Sequence, residues 1–206
     1  MHFKKLGKSD LKVSSYCLGT MTFGETTSED DGHSQIDQSL EYGINFFDTA
    51  EMYPTCPLRA ETTGNTEIII GNWIKKNKSK RPDIILASKI SGKGYKAVRN
   101  GEGINEKSIK IAIESSLKKL KTDYLDLYQL HWPNRGSYHF RQNWNYNPTT
   151  QDTETAKENI LQVLKALSDI QKEGKIRYIG LSNETCWGTT QFIHYLKEFP
   201  NLTLAS

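Results

Sequence analysis

The sequence predicts an α/β fold of the TIM-type (β/α) barrel class, carried through about five β/α units and preceded by a short β-hairpin. Strand-like apolar runs alternate with segments of helical period along the whole chain, an order that argues for helices packed on a parallel sheet. Most of these runs lack polar alternation, as strands do when both faces are buried. Four polar residues, Asp48, Tyr53, Lys89 and His131, stand at or just beyond the C-terminal ends of three of the runs, NFFDTAEMY, IILASKI and LDLYQLHW. In a barrel of parallel strands that end carries the functional loops.

Residues 2–6 and 11–14, separated by Gly-Lys-Ser-Asp, read as the hairpin. Strand runs follow at 15–20, 45–49, 84–90, 125–131 and 178–181. Ser28 with Asp31 resembles a capping box opening a first helix, with Ile36 and Leu40 one turn apart and a stop at Gly43. A second helix is expected over 65–76. In the third, starting near Asn105, Ile109, Ile113, Leu117 and Leu120 mark one apolar face while Lys107, Lys110, Lys118 and Lys119 lie largely off it. Ile160, Val163, Leu164, Leu167 and Ile170 mark the fourth, which ends at Lys172 and Gly174. A fifth is expected over 191–199, and a sixth strand begins at 202–206. A complete eight-fold barrel takes about 250 residues, so an unfinished barrel is expected from these 206. Without a Pro-rich or Ser/Gly linker, residues 1–206 read as one domain.

With 36% hydrophobic and 25% charged residues, the composition is that of an ordinary globular protein and argues against disorder. No stretch approaches the roughly 20 apolar residues of a membrane span, and the start, MHFKKLGKSD, lacks the apolar core of a signal peptide. A cytoplasmic protein is expected. Cys17, Cys56 and Cys186 form no CxxC pair or metal-ligand spacing, which suits a reducing compartment and argues against structural zinc. The net charge of +3 is small and the lysines are dispersed among acidic residues, so neither nucleic acid nor a membrane surface is an expected partner.

Taken singly, each of the four polar residues has an ordinary explanation. Asp48 suits a turn, Tyr53 is one of ten tyrosines, and a lone histidine after a strand is usually hydrogen-bonded in a core. Lys89 is harder to explain away, because it follows IILAS and a buried lysine needs a partner. Together they form a coherent set. A phenol of pKa ~10 donates a proton near neutrality only if its anion is stabilised, and an ammonium can do that. Lys89 would supply the charge, Asp48 would hold it, and His131 would orient a substrate oxygen: equipment for reducing a carbonyl.

The segments LGTMTFG, NFFDTAEMY, ASKI, LDLYQLHWP and GKIRYIGLSNET closely resemble the aldo-keto reductase superfamily, and their combination is most similar to a Tas-like bacterial NADP(H)-dependent branch related to potassium-channel β-subunits. The resemblance implies that Asp48, Tyr53, Lys89 and His131 are a catalytic tetrad for NADPH-dependent reduction of an aldehyde or ketone. Tyr53 would be the proton donor and Lys89 would lower its pKa. Ser182 and Asn183 would bind the nicotinamide carboxamide, and Gly19, Thr20 and Met21, with Asp48, would line the same region. Phe23 and Trp132, beside Tyr53 and His131, are the expected substrate contacts. The same resemblance puts the adenosine-phosphate half of the cofactor site on later strands than these five, so cofactor affinity is expected to be weak without them. A non-enzymatic nucleotide-binding regulatory module and an inactive fragment are the rival readings.

Gly92-Lys93-Gly94-Tyr95-Lys96-Ala97 formally matches the dinucleotide fingerprint G-x-G-x-x-A, but no helix opens there and the segment reads as a loop. The loop 134–152 is long and carries Tyr138, His139, Phe140, Trp144 and Tyr146, which predicts a lid or pocket wall.

Overall fold

The computed structural model describes residues 1–140 and 142–206. An antiparallel hairpin, β1 (Phe3–Lys5) with β2 (Lys12–Ser14), precedes a five-stranded sheet of β3 (Cys17–Gly19), β4 (Phe46–Asp48), β5 (Ile85–Ile90), β6 (Leu125–Leu130) and β7 (Ile176–Leu181). All the pairings in the sheet are parallel and the strand order follows the sequence. A sheet that winds in one direction keeps its helices on one face, which is the arrangement of a barrel wall. The wall continues past β7, because Leu204 bridges Ile179 in parallel and Ala205 N–H donates to Ile179 O at 2.9 Å. What is seen is therefore an open barrel of five strands with a sixth beginning.

Four helices, α1 (Glu29–Glu41), α2 (Asn65–Lys76), α3 (Glu106–Leu120) and α4 (Thr153–Lys172), coincide with the expected segments. Ser28 caps α1, its Oγ accepting from Asp31 N–H, and Gly43 leaves the helix at φ +77°, a conformation glycine adopts without strain. Asn105 and Ser108 form a reciprocal capping box on α3. The fifth helix departs from expectation: α5 spans Cys186–Tyr195 and gives way to a 3-10 turn at Leu196–Glu198. Its start hides in Gly188, Thr189 and Thr190, poor helix formers, while Thr185 supplies the cap by accepting Gly188 N–H at 3.1 Å.

The alternation of β5 distributes its side chains to two cores. Leu86 and Ile90 pack with the helices, whereas Ala87 and Ile85 face the barrel axis, where Leu127, Ala205, Leu11 and Val13 meet them. Leu11 and Val13 come from the hairpin, which thus closes the N-terminal end of the barrel. Lys89 is the next inward position after Ala87, at the opposite, open end. On the outer face Ser88 Oγ donates to Glu67 of α2 at 2.7 Å, and Lys119 of α3 approaches the same carboxylate at 3.4 Å. Burial pushes the Glu67 carboxyl up, with Lys119 opposing. Gly71 lets α2 lie directly on α3, since a Cβ there would collide with Lys119 O. Among the described residues no helix is long and apolar enough to cross a membrane.

Two isoleucines of α3 test this layering. Ile113 is fully buried and Ile111 is 47% exposed. Ile113→Ala is expected to lower unfolding stability by ~2–5 kcal/mol in urea denaturation, whereas Ile111→Ala should change it by no more than ~0.5 kcal/mol. Equal effects would contradict the helix orientation.

Candidate active site

Backbone register brings the polar groups together. Gly19 pairs with Asp48, Asp48 with Ala87, and Lys89 with Gln129, so the last residues of β3 to β6 share one end of the sheet. His131 follows directly, its N–H donating to Ile90 O at 2.9 Å. Tyr53 sits in the turn after β4, held through its own N–H to Ala50 O at 3.1 Å and through its carbonyl, which accepts Gly64 N–H at 2.9 Å.

Lys89 is buried, and its Nζ donates to Asp48 Oδ2 at 2.5 Å and to Thr49 O at 2.8 Å. Asp48 Oδ1 accepts Gln129 Nε2 at 2.9 Å, so both carboxylate oxygens are engaged. The ammonium lies 4.9 Å from the centroid of the Tyr53 ring, and the His131 ring meets the Tyr53 ring edge-on at 5.6 Å. All four expected residues thus converge. Gln129 was not anticipated, although a glutamine inside the apolar run LDLYQL, two positions before His131, was a readable signal.

Burial lowers the Lys89 pKa, with Asp48 opposing. His131 is pushed down to about 3, by burial first and then by the Lys89 charge and His139. It is neutral, and its Nδ1 is buried without a hydrogen-bond partner among the described residues. Tyr53 is pushed up to about 12, by burial first, then by the Asp48 carboxylate and Cys56. The expectation that Lys89 lowers the Tyr53 pKa is therefore not met in this geometry, because the ammonium faces the ring and is already paired with the carboxylate.

The other expected residues divide. Ser182 N–H donates to Leu130 O at 2.9 Å, and Asn183, at φ +53°, donates its Nδ2 to His131 O at 2.9 Å and to Ser182 Oγ at 3.0 Å. These bonds leave the Ser182 hydroxyl proton and Asn183 Oδ1 as a donor and acceptor side by side, the complement of a primary carboxamide. Gly19 has open space where a Cβ would stand, and Met21 is exposed. Thr20 is buried with its hydroxyl on Asp48 O at 2.8 Å, so it ties β3 to β4 and presents no surface to a ligand. Phe23 must also be corrected as a substrate contact: it is fully buried against Gly32 of α1, and its carbonyl accepts Thr66 Oγ1 at 2.7 Å. Its place in an apolar helix-facing core outweighs its nearness in sequence to Met21.

Trp132 is largely buried, its Nε1 donating to Lys93 O at 3.1 Å. The described residues of loop 134–152 do form a wall: Phe140 packs edge-on to Trp132 at 5.4 Å and to His131 at 6.0 Å, and His139 stacks on Trp132 at 5.8 Å. Trp144 of the same loop is 88% exposed. A cavity of about 790 Å³ opens beside the mouth under this loop, lined in part by Trp132, Arg135, His139, Ser182 and Glu184. Asp48, Tyr53 and Lys89 are not among its lining residues.

The sequence profile of the Aldo/keto reductase family matches residues 16–205. The chain is 46% identical to the Protein tas of Escherichia coli over 197 residues, covering 94% of this chain and 55% of that protein. It is 32% identical to the uncharacterized oxidoreductase YrpG of Bacillus subtilis, covering 91% and 51% of the two chains. The crystal structure of a thermostable aldo-keto reductase in complex with the inhibitor epalrestat superposes with a TM-score of 0.68 at 26% identity, covering 95% of this chain and 58% of that one. The chain spans about half the length of the curated relatives it matches.

The neutral state of His131 has a consequence for stability. Between its ordinary value of 6.5 and about 3 in the fold, the unfolded chain binds a proton that the folded chain does not. His131 therefore contributes stability at neutral pH that is lost progressively as pH falls through that window. His139 is shifted in the same direction by burial, so the difference between parent and variant is the informative quantity. The urea midpoint of His131→Gln should decline less than the parent's between about pH 7 and about pH 4. Parallel declines would show that His131 titrates normally.

Proposed function

The chain belongs to the aldo/keto reductase family, and we propose that the protein carrying it reduces an aldehyde or ketone to the alcohol with NADPH, Tyr53 acting as proton donor. Aldo/keto reductases generally use NAD(P)H, and the preference for NADPH follows from the resemblance to the Tas-like branch. The observation that carries this reading is the buried Lys89, paired with a half-buried Asp48 beneath the Tyr53 ring, with a neutral His131 at its edge.

When bound, the reduced nicotinamide supplies a hydride to the carbonyl carbon. Ser182 and Asn183 would hold its carboxamide, and the absence of a side chain at Gly19 leaves room beside Asp48. His131 hydrogen-bonds the substrate oxygen as a neutral donor, and Tyr53 Oη gives that oxygen its proton as negative charge develops there. The Lys89 ammonium is held by Asp48 against the face of the Tyr53 ring, and the tyrosinate left by proton transfer is reprotonated from water. Phe140, His139 and Trp132 shape the wall against which the rest of the substrate rests. The protein is read as cytoplasmic, with a small carbonyl compound as its partner.

Tyr53→Phe is expected to preserve NADPH binding, measured by fluorescence titration, while lowering carbonyl turnover by a factor on the order of 10² or more. Unchanged turnover would remove Tyr53 from the mechanism. Lys89→Met leaves the Asp48 carboxylate uncompensated beside Tyr53, so the alkaline limb of alcohol oxidation due to Tyr53 should move upward. A stationary limb would assign that titration to another group.

A further inference from the structure

The glycine-rich segment after β5 is a loop, as its sequence context predicts, and the structure lays it across the turn that bears Tyr53. Tyr95 Oη lies 2.8 Å from Thr63 Oγ1, and Tyr95 and Val98 pack with Tyr53, Ala50, Met52 and Trp132. Beneath this cover Glu51, two residues before Tyr53, is 4% exposed. Its backbone N–H donates to Lys89 O at 3.2 Å, and its carboxylate accepts the Ser91 N–H and Arg99 Nη1. Arg99 Nη2 completes the ring by donating to Ser91 O at 2.9 Å.

The arrangement is a poor device for stability alone. Arg99 and Asn100 stand at φ +44° and +54°, in the left-handed region that non-glycine residues seldom occupy. Arg99 Nε is buried with no partner among the described residues, and a buried ion pair gains little over apolar residues of the same volume. It is well suited to holding two chain segments in one geometry. One segment carries Tyr53 and the other carries Lys89.

We propose that Glu51 and Arg99 are positioning residues whose buried pair locks the Tyr53 turn to the end of β5, fixing the Tyr53 ring over the Lys89 ammonium. The inference rests on Tyr53 as proton donor for its catalytic consequence, while its geometric content can be tested separately. Besides Lys89, the titratable groups facing Tyr53 are Asp48, Cys56, His131 and Tyr95. None of them is altered in the variants below.

The test combines E51Q, R99Q, R99K and the double variant E51Q/R99Q. The Tyr53 titration is read by ultraviolet difference against each variant's Tyr53→Phe counterpart, with thermal unfolding by circular dichroism to establish folding. In E51Q and R99Q the released turn should admit water, moving the Tyr53 midpoint down by about one unit or more toward an ordinary phenol. Carbonyl kcat in the protein carrying the chain should fall about tenfold or more, with KM for NADPH within about twofold. The double variant should be no worse than the more affected single one, and R99K should recover part of the loss. Should R99Q fail to fold, E51Q, which preserves shape and removes the charge, is read in the same way. Folded variants whose Tyr53 midpoint stays with the parent's overturn the proposal whatever their turnover. If the midpoint shifts but Tyr53→Phe leaves turnover intact, the positioning stands and the proton-donor reading falls.

Discussion

The Asp48–Lys89 pair is the constraint around which the rest of this end of the barrel is organised. An ammonium taken out of water loses several kcal/mol of solvation, and only close partners offset it. Here Lys89 meets a carboxylate and a backbone carbonyl while Gln129 engages the remaining carboxylate oxygen, so the network is satisfied on both sides. The two charges then act on their neighbours in opposite senses. Lys89 reinforces burial in keeping His131 unprotonated, and Asp48 reinforces burial in keeping Tyr53 protonated. One ion pair thereby helps keep the phenol protonated and the imidazole neutral.

This pair can exist only at one end of the barrel. The inward positions of β5 are filled from below by the hairpin, where Leu11 and Val13 cover Ile85, and then by the Ala87 layer. Lys89 is the first inward side chain above those layers, close to solvent yet flanked by Asp48 across the β4–β5 register. A shift of one residue in β5 would turn Lys89 outward onto α2 and bring Ser88 to the axis. The outer network of Ser88, Glu67 and Lys119 therefore guards the same register from the other side.

Much of this was legible in the chain. Apolar runs without polar alternation located the strands, and four helices followed from their apolar spacing and caps. The convergence of Asp48, Tyr53, Lys89 and His131 could be read because they stand at or just beyond the common end of those runs. What was missed has physical causes. Phe23 was expected as a substrate contact, but a large apolar side chain finds more contact between α1 and α2. The start of α5 was hidden by Gly188, Thr189 and Thr190, where tertiary contact and a threonine cap outweigh weak propensity. Glu51 and Arg99 lie 48 residues apart and pair only because one loop folds over another, a relation that no local pattern encodes.

The Tyr53 result also changes the argument about acidity. The sequence argument required an ammonium to draw the phenol below its ordinary value, whereas in this geometry the phenol sits near 12. For a donor in carbonyl reduction that is no obstacle. On the proposed reading the acceptor is an oxygen becoming an alkoxide, whose conjugate acid resembles water and is a weaker acid than such a phenol. Proton transfer is therefore downhill once the carbon has gained its hydride, and a higher resting value keeps the donor fully loaded at neutral pH. In the reverse direction the same value is a handicap, since Tyr53 must first lose its proton to accept one from the alcohol. On the proposed reading, a burial-raised phenol over a carboxylate-paired lysine biases the site towards reduction at neutral pH.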